Sequence, residues 1–218
     1  MLTILAFFSE ILPIIFYLIF LKRNRGEGLW VIFLYCLLSV VTENMSVLLK
    51  DKVSSFYIFS SFTVIEYSLF AYFFYSSFKG KSFRYIPLIG TIVFYLIAIF
   101  NFITSKKVES FDSLTASVEA ILIIIYCILF LYEHIKDSSV IYVYSIKKFW
   151  VVIAFFIYFS STLFLFIYAA TFTIQEHKNY WAINNFFEIL KDILFCISFI
   201  MRKDTRKTYP IEDLYTDI

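Results

Sequence analysis

The stretch FWVVIAFFIYFSSTLFLFIY, residues 149–168, runs for twenty residues without a charge. A helix needs about 20 apolar residues to cross a ~30 Å hydrocarbon layer. Lipid offers no partner to open backbone groups, so a helix is the form in which such a run can be buried. Six further blocks of similar length and character surround it. Together they span about 2–22, 28–49, 54–78, 84–105, 112–133, 148–171 and 180–201. The chain of 218 residues is 61% hydrophobic and 17% charged, with 29 Phe and 17 Tyr. A soluble domain keeps roughly a quarter of its residues charged. The expected class is therefore an all-α polytopic membrane protein with seven transmembrane helices over 1–201 and a short tail over 202–218.

Basic residues set the expected orientation. With the N-terminus outside, the inner segments hold thirteen of them: Lys22, Arg23 and Arg25; Lys79, Lys81 and Arg84; Lys136, Lys147 and Lys148; Arg202, Lys203, Arg206 and Lys207. The outer loops hold Lys50, Lys52, Lys106, Lys107 and Lys178. That asymmetry predicts N-outside and C-inside in a cell's inner (cytoplasmic) membrane. The first block has no basic residue before it and carries Glu10 and Pro13, so it does not read as a cleavable signal peptide. Cys36, Cys127 and Cys196 fall inside blocks without CxxC spacing and read as small apolar residues. The net charge is +2, and no basic patch with interleaved aromatics points to nucleic acid.

Within the last block, NNFFEILKDILF (184–195) places Glu188, Lys191 and Asp192 in apolar surroundings. Acids also fall inside other blocks, at Glu10, Glu43, Glu66 and Glu119. A charge near the bilayer centre costs at least about 2.5 kcal/mol on insertion scales. Such groups therefore face the bundle interior, pair, or take up a proton. Counted from the outer helix ends, these residues fall in one layer between the outer third and the midplane. At 100° per residue Trp181, Asn184, Asn185, Glu188, Lys191 and Asp192 share one arc. Phe186, Phe187, Ile189, Leu190, Ile193, Leu194 and Ile197 cover the rest, the face expected to meet lipid. Tyr35, Ser39, Thr42, Glu43 and Ser46 make a weaker stripe on the second block. Two readings stand side by side. In one, Glu188 and Lys191 pair at i, i+3 and hold helix packing in register. In the other, the excess of acid over a single lysine marks a site for a cation or small polar ligand. Its core residues are Glu66, Glu188 and Lys191, then Glu10, Glu43 and Glu119, with Asn184, Asn185 and Asp192 beside them; no metal ligand set is defined.

An internal repeat is also expected. EILPIIFYLIFL (10–21) overlays EAILIIIYCILF (119–130), matching Glu10 to Glu119 and Tyr17 to Tyr126. LWV (29–31) overlays FWV (149–151), and FTVIEYSLFAYFF (62–74) overlays NNFFEILKDILFC (184–196), matching Glu66 to Glu188. Three helices, a linker helix and three more would give a 3+1+3 plan, a parallel repeat of the kind found among transporters.

Function classes divide on these features. His134 and His177 sit at opposite edges of the predicted membrane, and HExxH and GxSxG are absent, so an enzyme is not expected. The 3+1+3 plan resembles the SWEET and PQ-loop transporters in topology, but the Pro-Gln dipeptide is missing and Pro13 faces Leu122 in the second copy. Lys191 with Glu66 as counter-ion resembles microbial rhodopsins, which attach retinal to a helix-7 lysine. However, Trp30, Trp150 and Trp181 lie near helix ends and flank no chromophore, so no cofactor is expected. A sensor or regulatory subunit is the expected role. The tail RKDTRKTYPIEDLYTDI (202–218) would be its docking segment for a cytoplasmic partner. An ion channel or pore-forming effector of bacterial defence, as a single bundle or a homo-oligomer, and a small-solute transporter remain the alternatives. The segments FWVVIAFFIYFSSTLFLF and INNFFEILKDILFCISF resemble uncharacterised small seven-helix membrane proteins of Bacteroidetes-type bacteria; the resemblance covers the last two blocks and implies no activity.

Overall fold

A computed structural model of the chain describes residues 2–48, 55–104, 112–136, 143–172 and 174–202. Its helices are α1 (Leu2–Ile19), α2 (Leu21–Asn24), α3 (Trp30–Leu48), α4 (Ser55–Ser77), α5 (Lys81–Thr104), α6 (Ser113–Lys136), α7 (Lys147–Tyr168) and α8 (Ile174–Ile200). Short 3₁₀ turns precede and follow α7. Five helices are long and apolar enough to cross a membrane: α1, α4, α5, α6 and α7. α3 counts as a shorter apolar helix over Trp30–Ser46. α8 falls outside that group although it is 27 residues long. Its polar start and the stripe through Glu188, Lys191 and Asp192 dilute its apolarity. The tail residues 203–218, with the docking segment expected there, lie outside the described residues.

Each helix packs on its chain neighbours, and α8 returns to close the ring on α1, with α4 also touching α6. Side-chain pairs fix the directions. Ser39 meets Glu10 and Tyr17 meets Phe33, so α3 runs against α1. Asn185 meets Thr3, Ser9 meets Asp192 and Tyr17 meets Phe199, so α8 runs parallel to α1. Ser60 meets Asp112 and Tyr67 meets Tyr126, so α4 and α6 are also parallel. α5 lies against α4 and α6 and is the least buried of the five apolar helices. Its Gly90 permits a close approach: a Cβ there would overlap the Tyr126 hydroxyl.

Rings fill the bundle toward the ends of α1, α4 and α8. Phe155 of α7 is the hub, with ring centroids 4.3 Å from Phe70 and 5.5 Å from Phe195. Phe73, Phe74, Phe130 and Phe199 extend this fully buried core. Edge-to-face and tilted pairs of this kind add roughly 0.5–1.5 kcal/mol each beyond burial. Past the core, polar ties close the helix ends. Lys147 donates to the Arg23 carbonyl (2.9 Å) and to Asn24 Oδ1 (3.0 Å), and Asn24 donates to the Phe199 carbonyl at 3.2 Å. Arg23 donates to the Ile200 carbonyl. Cations at helix C-termini satisfy carbonyls that have no partner within the helix. At another helix start, Glu133 of α6 accepts the Lys79 and Gly80 amides (3.0 and 2.6 Å) ahead of α5.

Candidate functional site

The polar arc of α8 turns inward. Asn184, Asn185, Lys191 and Asp192 are buried, while Phe186 and Ile193 face outward. Trp181, Phe187, Glu188, Ile189, Leu190 and Ile197 are half-buried. Leu194 corrects the expectation that it lies on the apolar outer face: it is buried and joins the aromatic core. It sits between the stripe residues Lys191 and Ser198, where α7 closes over the helix.

Lys191 is the centre of the arrangement and is only 2% exposed. Its Nζ donates to the Tyr35 hydroxyl at 2.6 Å and lies 3.5 Å from Glu188 Oε1. The ammonium also sits over two rings, 4.9 Å from the Tyr35 centroid and 4.6 Å from that of Tyr158. A desolvated cation over the Tyr158 face gains about 2 kcal/mol, whereas Tyr35 is met through its hydroxyl. Glu66 lies beside the Tyr35 hydroxyl, and Tyr158 donates to Asn184 Oδ1 at 3.0 Å. The same Tyr35 ring packs edge-on against Phe70 (4.7 Å) and Phe195. One side chain thus joins the charged layer to the aromatic core.

The acids gather around this lysine from five helices. Glu10 (α1), Glu66 (α4), Glu188 and Asp192 (α8) lie within its electrostatic reach. Glu43 of α3, half-buried, faces Glu188 and Lys191. Glu119 of α6 faces Glu66 and stands one step further from the lysine. All six acids therefore belong to one network. Ser39 donates to Glu10 Oε1 at 2.9 Å and Ser9 donates to Asp192 Oδ2 at 2.8 Å. Two carboxyl oxygens, Glu10 Oε2 and Glu119 Oε1, are buried without any hydrogen-bond partner. Among the described residues, no three His, Cys, Asp or Glu side chains converge in a way that could hold a metal ion.

Asn185 is less central, since it donates to Thr3 at 3.2 Å near the start of α1. Ser9 and Tyr158 were not foreseen. Ser9 precedes Glu10 on the same turn, and Tyr158 sits in the polar run YFSST (158–162), so a search for polar residues flanking intramembrane acids would have found both. A second buried polar knot also escaped notice. Asp112 accepts from Ser60 (3.0 Å), Asn101 (2.6 Å) and the Thr115 amide (3.1 Å), tying α4, α5 and α6 and capping α6. No family model, no curated protein and no solved structure matches the chain.

Proposed function

We propose that the chain is a seven-span membrane protein, N-outside and C-inside, whose carboxylate–lysine layer binds a cation or small polar ligand and acts as a sensor or regulatory subunit. The parallel packing of α1 and α8 supports an odd number of crossings, and the inward stripe of α8 explains how a charged helix can span lipid. The observation that carries the reading is the imbalance at the layer's centre: five acids surround one lysine, Glu119 stands behind Glu66, and two carboxyl oxygens of the layer have no partner. A purely structural ion pair needs one acid. Truncating a buried charge network is costly, yet an apolar replacement of the whole is often as stable, so a surplus of acid has no packing purpose.

The aromatic core beneath the layer favours binding over conduction. Phe70, Phe155 and Phe195 are fully buried with rings in contact, and an apolar core packed in this way excludes the water an ion would need. A solute carrier with a 3+1+3 plan is the second reading, favoured by one observation. If α5 is set aside, α1·α3, α3·α4 and α4·α6 match α6·α7, α7·α8 and α8·α1, as two copies of one unit would.

The test is thermal melting of purified protein against inorganic cations and small ammonium compounds at constant ionic strength. A ligand should raise the melting temperature of the wild type and leave Glu66→Gln and Glu188→Gln unmoved. Well-folded wild type with no response to any ligand, beside variants that fail to insert, would make the layer a structural device.

A further inference from the structure

Toward the start of α4 and α6, about 9 Å from Glu66 along α4, a cavity of about 350 Å³ lies between α4, α5 and α6. Its wall is apolar, formed by Val64 and Ile65 of α4 and by Ala98, Ile99 and Phe102 of α5. Ile65, Ile99 and Phe102 are exposed on the flank of the bundle, so the cavity opens sideways. At one end it meets Ser60, Asp112 and Thr115, the polar knot that ties the three helices. Small-molecule sites start at about 300 Å³, so the space is large enough to hold part of a ligand.

The charge at that end is unbalanced. Asp112 is buried and accepts in each of its hydrogen bonds: Oδ1 from Asn101 and the Thr115 amide, Oδ2 from Ser60. Acceptor-only contact is the pattern of an ionised carboxylate, which offers about four lone-pair positions. Oδ1 has two donors and Oδ2 has one, so Oδ2 keeps a position open. Among the described residues no cation pairs with Asp112. Lys81 and Arg84 stand at the opposite end of α5, and Lys136 at the opposite end of α6. Ser61, exposed at the mouth of the cavity, adds a hydroxyl beside the acid.

We propose that this cavity is a lipid site, taking one acyl chain of a phospholipid whose primary ammonium headgroup docks on Asp112. Three features choose that occupant. The mouth lies on an apolar flank, which a molecule dissolved in the bilayer reaches and a water-borne solute does not. The polar end sits at helix termini and the apolar wall runs inward from it, the order of an amphiphile standing in one leaflet. The open lone pair of Asp112 accepts an N–H, which a primary ammonium has and a quaternary one lacks. A quaternary headgroup needs a cage of aromatic faces, and Phe102 is the one lining ring at that end. An anionic headgroup would be repelled. Lipid tails are as apolar as the wall, so seating the chain gains little over leaving it in the bilayer, and the headgroup decides which lipid stays. The site rests on the membrane-spanning reading above and is independent of what the Lys191 layer binds.

Native mass spectrometry of the full chain in detergent tests this, with phosphatidylethanolamine, phosphatidylcholine and phosphatidylglycerol of identical chains added in equal amounts. The wild type should retain one phosphatidylethanolamine about tenfold over either competitor, the weight of one charge-assisted hydrogen bond. Asp112→Asn keeps an acceptor for the Thr115 amide and should melt as the wild type does, yet the headgroup preference should vanish. Ala98→Leu fills the cavity from α5 without touching the knot, and the retained lipid should be lost. Equal retention of the three lipids, or preference for another headgroup, overturns the proposal. So does a phosphatidylethanolamine preference that survives either variant. If Asp112→Asn fails to fold, Ala98→Leu decides alone: loss of the bound lipid supports the site and undiminished retention overturns it. A dimer that Ala98→Leu breaks, with no lipid retained, also overturns it and makes the groove an interface between copies. A chain that stays monodisperse without detergent and retains no lipid takes the membrane reading down with the site.

Discussion

At the level of Phe155 the helices meet through an apolar core led by rings: Phe70, Phe73, Phe74 and Phe195 surround it, all fully buried. Around Lys191, further toward the start of α8, the same helices meet through carboxyls, hydroxyls and one ammonium. Tyr35 belongs to both levels. Dispersion is non-specific, so a ring core holds the bundle whichever aromatic fills each place, provided volume is kept. A buried polar layer behaves otherwise: each group must find a partner, or its desolvation weighs against the fold. The ring core satisfies its own requirement completely. The charged layer leaves two oxygens bare. That contrast separates a part built for stability from a part built to receive something.

The difference can be broken from either side. Lys191→Met should have the largest effect, about 4 kcal/mol, because it strands five acids around an apolar side chain. The loss should shrink as pH falls, since protonating the acids removes the uncompensated charge; unfolding in a graded denaturant at two pH values reads this out. Phe155→Ala should cost about 3 kcal/mol by opening a cavity at the hub of the ring core. Its cost should be the same at both pH values, which sets it apart from the lysine. Gly90→Ala should cost about 2 kcal/mol, since its Cβ would overlap the Tyr126 hydroxyl. Adding Tyr126→Phe should recover part of that loss, as a double-mutant cycle of melting midpoints would show. Glu188→Gln and Glu66→Gln should be the mildest, about 0.6 kcal/mol each, typical of polar contacts within membranes. They should nonetheless abolish the ligand-dependent rise in melting temperature. If they instead destabilise as strongly as Lys191→Met, the acids are fixed charges holding the fold.

Much of this was legible in the sequence because hydrophobic blocks report helices directly. The blocks at 28–49, 54–78 and 112–133 correspond closely to Trp30–Leu48, Ser55–Ser77 and Ser113–Lys136. The ends were less legible where polar residues continue a helix. α8 starts at Ile174 rather than near 180, because QEHKN is polar yet helical. α5 starts at Lys81 rather than 84, where Glu133 supplies partners for the preceding amides. The first block ends early, at Ile19, with a separate turn of helix over Leu21–Asn24 tied to the ends of α7 and α8. At the layer, the acids were readable because a charge within an apolar run is conspicuous. Their partners were not. Tyr158 and Ser9 have no charge to betray them, and Asp112 stands at the very start of its block, where an acid reads as an ordinary helix end, so only the three-dimensional packing brings Ser60 and Asn101 to it.

The most direct test of a layer that binds without conducting is ion flux in proteoliposomes, followed with a potential-sensitive dye. Wild type, Glu66→Gln and Glu188→Gln would be compared after each is shown to melt as a folded protein. The ring core around Phe155 predicts that the wild type holds an imposed potassium or proton gradient as long as empty liposomes do. Rapid loss of the gradient with wild type, abolished by both substitutions, would contradict it and make the carboxylate layer the filter of a channel or carrier.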